Sequence, residues 1–150
     1  MKQYIGTKII QAEPAYRVDG EVFVKANIVP SGVHTEDGYK VVYPDGYESW
    51  SPKDVFEAAY RKTSGMNFGL AIEAVKMGKK IARAGWNGKN QYVELGHDFS
   101  YTAPGDIPVR PVQHLDIGSQ ALVFVGTRGR QVGWLASQAD MLADDWMIVE

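Results

Sequence analysis

Two tryptophans in this chain lie beside glycines, at positions where a flat aromatic ligand could reach them. Trp86 lies between Gly85 and an Asn-Gly pair, and Trp134 directly follows Gly133. A ring on a glycine-bounded turn is expected to be accessible to a ligand rather than covered by the chain. Stacking of one nucleobase on such a ring contributes roughly 1–3 kcal/mol. Core packing is the simpler explanation for either tryptophan alone, whereas the pair could form two base-stacking walls.

Polar side chains beside the tryptophans have the groups that hold a ribose or a pyrophosphate. Asn87 can both donate and accept hydrogen bonds. Ser137, Gln138 and Asp140 open a predicted helix whose unpaired amides favour anions, and Asp140 could accept hydrogen bonds from ribose hydroxyls. Ser137 and Asp140 equally fit a capping box with no other role, so both interpretations stay open for these two residues.

An arginine is the natural partner of a phosphate, because its planar guanidinium forms two parallel hydrogen bonds. Arg128 and Arg130 fall on a predicted hairpin tip, where a solvated turn is the simpler interpretation. Arg83 lies in the extended run that leads to Trp86. We therefore predict that Arg83 is the arginine that contacts a phosphate.

The histidines do not form a catalytic set. His34, His97 and His114 are far apart, and none has a second ligand at metal-binding spacing. The sequence also has no nucleophile elbow, phosphate-binding loop or dinucleotide-binding glycine pattern. We therefore predict a protein that is not an enzyme and uses no metal or cofactor, with an active site assembled from scattered residues as the alternative.

The amino-acid composition limits the classes of molecule that this protein is expected to bind. The 150 residues carry a net charge of −2, so charge does not favour DNA or RNA, although a small anion needs only a few local donors. There is no cysteine for a disulfide or a thiolate site. No segment approaches the roughly 20 apolar residues of a membrane span, and the N-terminus lacks a signal-peptide pattern. These features are typical of a globular protein of the cytoplasm.

A helix with a clear beginning and end precedes the first tryptophan. Asn67 is a good N-cap, apolar residues follow at i, i+3, i+4 and i+7, and Gly78 suits the left-handed position after the last turn. Phe68 and Ala71, on its first turn, could complete a ligand slot beside Trp86. An ordinary core role explains these two residues equally well.

The chain from Met66 onward predicts an α+β domain, in which an antiparallel sheet carries this main helix and one short helix. The capping pattern places the short helix at 138–143. Residues 96–111 predict a long loop, because they hold Pro104, Pro108 and Pro111. Apolar or alternating runs predict strands at 80–84, 91–95, 121–125, 131–134 and 146–149.

Residues 1–63 predict a separate, small β-rich module that ends in a helix. Turns are predicted at 37–38 and 44–46 from their Asp-Gly and Pro-Asp-Gly sequences. A break is predicted at Pro14, and a polar linker at 62–65 leads to the second domain, 66–150. The strands of this module are placed at 4–10, 22–24, 27–29, 39–43 and 47–50.

The helix of this module has a predicted start and a predicted buried face. Ser51 should cap it, Pro52 should occupy its first position, and it should run to about Arg61. Its buried stripe is predicted to contain Val55, Ala58 and Ala59. Four aromatic residues of the hairpin are predicted to form cross-strand pairs rather than a binding site: Tyr39, Tyr43, Tyr47 and Trp50.

The second domain carries motifs of a known phage family. Its helix, basic turn and strand lead into Ala-Gly-Trp-Asn-Gly at 84–88. Gly-Trp-Leu-Ala-Ser-Gln-Ala-Asp-Met-Leu follows at 133–142, and Ala-Asp-Asp-Trp at 143–146 closes the pattern. In this order the motifs resemble the Thoeris anti-defence proteins of the second type, over residues 66–150. Residues 1–65 lie outside the resemblance.

The resemblance implies a protein that binds an immune signal without degrading it. Members of this family sequester glyco-cyclic ADP-ribose, the cyclic ADP-ribose isomer that Thoeris immune enzymes make, in the cytoplasm of the infected bacterial host. The resemblance also admits cyclic oligonucleotides of CBASS-type defence as ligands. It further implies a homo-oligomer, typically a tetramer, with ligand pockets between subunits.

The resemblance also favours a ligand-binding role for the two tryptophans, with Trp86 and Trp134 as base-stacking walls. Two other classes of function stay open from the sequence. A nucleotide hydrolase would turn the ligand over, and a virion or scaffold protein would bind no small ligand.

Overall fold

A computed structural model of the chain describes residues 1–24, 32, 34–86, 90–110 and 120–150. The chain forms two compact units, residues 1–61 and residues 62–150. Each unit is built on an antiparallel sheet with helical additions, which confirms the predicted α+β class. Within the described ranges, no helix is long and apolar enough to cross a membrane.

In the part of the first unit that the structure describes, there are a four-stranded sheet and one helix. The strands pair antiparallel in the order β2-β1-β3-β4, and the helix follows the last strand. Their bounds are β1 Gln11–Val18, β2 Glu21–Val24, β3 Glu36–Val42, β4 Glu48–Pro52 and α1 Lys53–Ala59.

The first strand does not lie where the sequence predicted it. Residues 4–10 are not in a strand, and Tyr4 and Ile5 are 90% and 99% exposed. The strand is β1, and it includes Pro14, which was predicted to break it. Pro14 pairs with Tyr39 of β3, and the described pairing of β1 with β2 begins at Ala15. A proline can lie in a strand where its missing N–H is not required.

The predicted turn at 37–38 is also wrong, because Asp37 and Gly38 lie inside β3. Gly38 is required there for packing rather than for turning. A Cβ at this position would meet the carbonyl oxygen of Ser51 and would lie 2.7 Å from the indole of Trp50. The predicted turn at 44–46 is confirmed, since Gly46 has a φ of +86° and its N–H bonds to the carbonyl of Tyr43.

The helix α1 begins and packs differently from the prediction. Ser51 is the penultimate residue of β4, Pro52 is the N-cap, and no side chain caps the helix. Val55 is 61% exposed, and Ala58 and Ala59 are exposed as well. The helix instead packs through two aromatic residues, Phe56 and, just after its end, Tyr60.

The described residues of the second unit form a five-stranded antiparallel sheet, a separate hairpin and two helices. The main sheet has the order β10-β9-β6-β5-β11, and β7 pairs with β8. Its strands are β5 Lys80–Arg83, β6 Tyr92–His97, β9 Gln120–Gly126, β10 Gly129–Val132 and β11 Trp146–Val149. The hairpin, β7 Tyr101–Ala103 and β8 Ile107–Val109, lies in the stretch that was predicted to be a loop.

The main helix of the second unit, α2 Phe68–Lys76, is confirmed at both ends. The Asn67 side chain accepts a hydrogen bond of 2.9 Å from the Leu70 N–H. At the other end Gly78 has a φ of +83°, its N–H bonds to Val75, and the Lys79 N–H bonds to Ala74. This is the paired 6→1 and 5→2 arrangement of a Schellman motif.

The segment before α2 belongs to the second unit through its backbone. Met66 forms an antiparallel bridge with Trp146, with hydrogen bonds of 2.8 and 3.1 Å. The Ile148 N–H donates to the Thr63 carbonyl at 2.8 Å. Residues 63–66 therefore line the outer edge of β11, within and just after the stretch that the sequence predicted to be a polar linker.

The core of the second unit lies between α2 and the central strands. The helix contributes Ala71, Ala74 and Val75, and the strands contribute Ile81 and Val93, all of them buried. Trp146 completes this core with 0% exposure. Its ring connects the core to a larger group of aromatic side chains.

Candidate functional site

Five aromatic rings of the second unit form one cluster around Trp146. Trp86 and Trp134 each contact Trp146 edge to face, with centroids 5.5 and 6.2 Å apart. Phe124 contacts Trp86 at 5.5 Å, and Phe68 contacts Trp146 at 5.5 Å. Edge-to-face pairs at these distances add about 0.5–1.5 kcal/mol each beyond area burial, so the cluster stabilises the fold as well as forming a surface.

The two glycine-flanked tryptophans form a corner rather than a parallel slot. The rings of Trp86 and Trp134 are 6.1 Å apart and are inclined at 73°. A base sandwiched between two rings needs parallel planes roughly 7 Å apart, which is twice the contact distance of two carbon atoms. Both tryptophans are partly buried. Within one chain, a base can therefore stack on the face of one tryptophan and contact the edge of the other, but it cannot be sandwiched between the two rings.

Backbone hydrogen bonds fix the two turns that carry these rings. The Trp86 N–H bonds to the Arg83 carbonyl at 3.3 Å. The N–H groups of Gly133 and Trp134 both bond to the Leu122 carbonyl, at 2.9 and 3.0 Å. Gly133 has a φ of +86°, a conformation that L side chains rarely adopt, so the glycine is needed to direct Trp134 back onto the sheet.

Beside the rings, Arg83 bridges two carboxylates. Its Nε donates to Asp145 Oδ1 at 2.8 Å, and its Nη1 donates to Asp140 Oδ1 at 2.9 Å. The Arg83 side chain is only 21% exposed. A phosphate at this position would have to share the guanidinium with both carboxylates, through Nη2, which makes neither of these bonds.

The two carboxylates are held ionised by their hydrogen bonds. The Arg83 guanidinium is the main cause of the low pKa of Asp145, with further help from the Gly85 N–H. Burial raises the pKa of Asp140, but hydrogen bonds from Arg83, Ser137 and the Trp86 side chain outweigh it and leave the pKa below its ordinary value. The bonds to Asp145 and then Asp140 raise the pKa of Arg83, so all three groups are charged near neutral pH.

Residues 66–149 match the model of the Thoeris anti-defense 2-like domain family, over more than half of the chain. The chain belongs to this family. It is 36% identical over 91 residues to Thoeris anti-defense 2 of Bacillus phage SP01, an alignment that covers 56% of this chain and 94% of that protein. Membership assigns the protein a phage anti-defence role. The predicted family resemblance is therefore confirmed, and the first unit lies outside the matched region.

The short helix of the Thoeris anti-defense 2-like domain, α3 Gln138–Met141, begins as the sequence predicted. Ser137 caps it by accepting from the Asp140 N–H at 3.1 Å, and the Asp140 carboxylate accepts from the Ser137 N–H at 3.2 Å. This confirms the capping box. Ser137 and Asp140 thus have structural hydrogen bonds whatever else they do, while Gln138 is exposed.

The remaining predicted site residues have different surroundings. Phe68 is partly buried against Trp146, and Ala71 is fully buried in the core. Asn87 lies outside the described residues. The structure thus gathers Phe68, Arg83, Trp86, Trp134 and Asp140 around one aromatic cluster and places Ala71 beneath it.

Three residues of the site did not emerge from the sequence as site residues. Trp146 and Asp145 were used only as part of the family motif at 143–146, with Trp146 also starting a predicted strand, and Phe124 only as part of an apolar run. The Asp-Asp-Trp sequence at 144–146 held the available signal, because an acidic pair beside a strand-initiating tryptophan offers both a charge and a ring. Which residues they face is a long-range property that this local pattern does not contain.

No set of three His, Cys, Asp or Glu side chains in the described residues could hold a metal ion. His97 contacts only its neighbour in the described pairs, with Nδ1 2.8 Å from Asp98 Oδ2, and both side chains are exposed. His114 lies outside the described ranges.

Proposed function

We propose that this protein binds the cyclic ADP-ribose isomer made by Thoeris enzymes and sequesters it without degrading it. Cyclic oligonucleotides of CBASS-type defence are the second ligand class in this proposal. The protein would act in the cytoplasm of the infected host, as a homo-oligomer and typically a tetramer. The family membership and the name of the SP01 relative support the anti-defence part of this proposal.

One observation carries the ligand-binding part, namely the partly exposed corner of Trp86 and Trp134 within the family domain. An adenine base can stack on one face of either ring, and such a contact contributes roughly 1–3 kcal/mol. Nanomolar sequestration requires about −12 kcal/mol, so one corner is not enough. Further contacts have to come from polar groups and from a second subunit.

Polar groups near the corner are suited to the ribose and phosphate parts of the ligand. Gln138 is exposed beside the capped end of α3, and Arg83 Nη2 makes neither carboxylate bond. Asn87, next to Trp86 in sequence, remains a predicted contact. A corner that offers one face and one edge is completed if a neighbouring subunit supplies the opposite wall, which supports pockets between subunits.

Ligand recovery tests the proposed fate of the nucleotide. Mixing the protein 1:1 with glyco-cyclic ADP-ribose should remove the compound from the filtrate, and heat denaturation should return it with unchanged mass. A linear ADP-ribose product that grows with time would instead establish a hydrolase. Failure to deplete either this compound or cyclic oligonucleotides would favour a virion or scaffold protein.

The tryptophan variants test the site. Trp86→Ala and Trp134→Ala should each weaken binding by roughly 1–3 kcal/mol, or about 5- to 150-fold, with far-UV circular dichroism and oligomer size unchanged. Tyr47→Ala is the control, because this ring is 65% exposed and lies in the first unit. A variant that unfolds or dissociates would show that its tryptophan is a core or interface residue, and isothermal titration with light scattering separates these outcomes.

A further inference from the structure

The carboxylates of Asp140 and Asp145 hold the segment that carries Trp86 from two sides. Asp145 Oδ1 accepts from Arg83 Nε at 2.8 Å, and Asp145 Oδ2 accepts from the Gly85 N–H at 3.2 Å. The main-chain oxygen of Asp145 accepts from the Ala84 N–H at 3.1 Å. One residue of the Asp-Asp-Trp motif therefore contacts all three residues that precede Trp86.

Asp140 holds the rings themselves. The Trp86 side chain, whose only donor is the indole N–H, helps to lower the pKa of the carboxylate of Asp140. Its main-chain oxygen accepts from Trp146 Nε1 at 2.8 Å. Asp140 thus fixes the Trp146 indole through its backbone, and its side chain holds Arg83, three residues before Trp86.

The hydrogen-bonding capacity of Asp140 is already used within the chain. An ionised carboxylate accepts about four hydrogen bonds. Asp140 receives three of them, from Arg83 Nη1 at 2.9 Å, from Ser137 Oγ at 2.8 Å and from the Ser137 N–H at 3.2 Å. This residue therefore has little capacity left to accept hydrogen bonds from ribose hydroxyls. Its contacts instead position other residues of the site.

We propose that Asp140 and Asp145 are positioning residues for nucleotide binding, with Arg83 tying the two carboxylates together, so that Trp86 is held in its binding orientation before the ligand arrives. This inference rests on the proposed function. It changes the role expected for Asp140 from ligand contact to support, and it adds a supporting role for Arg83 Nε and Nη1 to the phosphate contact proposed for Nη2. A binding ring that is fixed in advance loses less conformational freedom on binding, which strengthens affinity without adding a contact.

Asp145→Asn is the sharpest test, because it keeps the shape and removes the charge. An asparagine has only one oxygen, so it cannot accept from both Arg83 Nε and the Gly85 N–H with its two terminal atoms. Asp144→Asn is the matched control, since it makes the same change at the exposed neighbouring residue. No described contact joins Asp144 to Arg83, Gly85 or Trp86.

The first measurement needs no ligand. In protein labelled with 5-fluorotryptophan, ¹⁹F NMR gives one resonance for each of the four tryptophans, assigned with single Trp→Phe variants. In Asp145→Asn the Trp86 resonance should shift or broaden, while Trp50, in the first unit, should not change. Asp144→Asn should leave all four resonances in place. An unchanged Trp86 resonance in Asp145→Asn would overturn the proposal.

The second measurement is affinity for glyco-cyclic ADP-ribose by isothermal titration. Asp145→Asn should bind about tenfold more weakly, which corresponds to about 1.4 kcal/mol, and Asp144→Asn should bind as the unmodified protein does. Unchanged affinity together with a displaced Trp86 would also overturn the proposal. If the unmodified protein itself does not bind, the proposed function fails, whereas the NMR result still decides whether the carboxylates hold Trp86.

A second variant covers the case in which Asp145→Asn does not fold. Arg83→Lys keeps the positive charge, but a single ammonium cannot reproduce the Nε and Nη1 bonds of a guanidinium. It should shift the Trp86 resonance and weaken binding in the same direction as Asp145→Asn. A folded Arg83→Lys protein with unchanged Trp86 resonance and affinity would overturn the proposal.

Discussion

The two units of this chain each contain an aromatic cluster, and the clusters are built in opposite ways. In the first unit Phe56 stacks on Tyr39 at 4.1 Å and 21°, and on Tyr60 at 5.0 Å and 24°. In the second unit the tryptophans meet edge to face, at 73–78°. The first cluster is a near-parallel stack on a helix, whereas the second is a junction of rings from separate elements.

The difference follows from where the rings lie in the sequence. Phe56 and Tyr60 are one helical turn apart, and the hairpin places Tyr39 nearby, so all three rings lie within about twenty residues. Trp86 and Trp146 are sixty residues apart and meet only when β5 pairs with β11. A stack of rings that are close in sequence mainly stabilises its own helix. A cluster of rings that are distant in sequence depends on the whole sheet and can form a surface that fits a ligand.

The ion pairs of the two units also differ, in how exposed they are and in what they connect. In the first unit the side chains of the Arg17–Glu36 and Lys40–Glu48 pairs are 32–56% exposed, and solvent-exposed pairs contribute roughly 0–1 kcal/mol. In the second unit Arg83 is mostly covered and bridges two carboxylates that reach the tryptophans. Three predictions test whether the second cluster organises its unit in a way that the first does not.

The largest effect is expected from Trp146→Ala. This ring has no exposed surface and contacts three other rings of the cluster, so truncation should cost about 3–5 kcal/mol, as for other buried large-to-small changes. Hydrogen exchange by mass spectrometry should show lost protection in 62–150 and unchanged protection in 1–61. Phe56→Ala is the counterpart in the first unit and should affect that unit only. Equal loss in both units for either variant would mean that the chain unfolds as one.

An intermediate effect is expected from pH, with opposite sign in the two units. The pKa values of Asp140 and Asp145 are lowered. The stability they provide to the second unit is therefore complete above about pH 3.9, their unfolded-state pKa, and is lost as the pH falls through the lowered values. The hydrogen bond with Glu57 raises the pKa of Tyr39. Its contribution to the first unit is therefore complete below about pH 10 and is lost as the pH rises through the raised value.

Calorimetry from pH 2 to pH 11 checks this reversal. The acid loss in the second unit should be about 1–2 kcal/mol, smaller than for a buried pair because Asp145 is about one-third exposed. Arg83→Met should flatten the acid limb, and Tyr39→Phe should flatten the alkaline limb. A transition of the second unit that keeps its acid dependence in Arg83→Met would contradict the role of these carboxylates.

The smallest effect is expected from moving the start of the second unit. A fragment of residues 62–150 keeps the hydrogen bond from the Ile148 N–H to the Thr63 carbonyl, and a fragment of residues 66–150 does not. Both should fold, assemble and bind nucleotide, with the shorter one less stable by about 1 kcal/mol, the net contribution of one hydrogen bond. Urea unfolding and light scattering compare them. A folded 62–150 fragment without assembly or binding would show that the first unit takes part in both.

Much of the second unit could be predicted from the sequence, because its signals are local. Asn67 and Gly78 mark the ends of α2, Ser137 and Asp140 form the predicted capping box, and the strand at 146–149 lies where it was placed. The helix-end motifs depend on hydrogen bonds between residues a few positions apart, so neighbouring residue types are enough to specify them.

Local sequence patterns gave wrong predictions where the structure of a segment depends on other strands and helices of the same chain. The composition of residues 4–10 favours a strand, but strand formation needs a partner edge, and the sheet pairs β1 from Gln11 instead. The Asp-Gly pair at 37–38 looks like a turn, yet it lies in β3 because Gly38 leaves room for the Trp50 ring. The face that α1 buries was set by Tyr39, a residue of another element.

By itself the sequence determined the family, both ends of α2, the start of α3 and the identity of the rings and charges. Tertiary structure alone decided that Trp86 and Trp134 meet at 73° instead of facing each other, and that Arg83 lies between Asp140 and Asp145. The physical reason is that ring angles and ion pairs depend on which strands are neighbours. In this domain the strands that pair are β5 and β11, which are separated by more than sixty residues of chain.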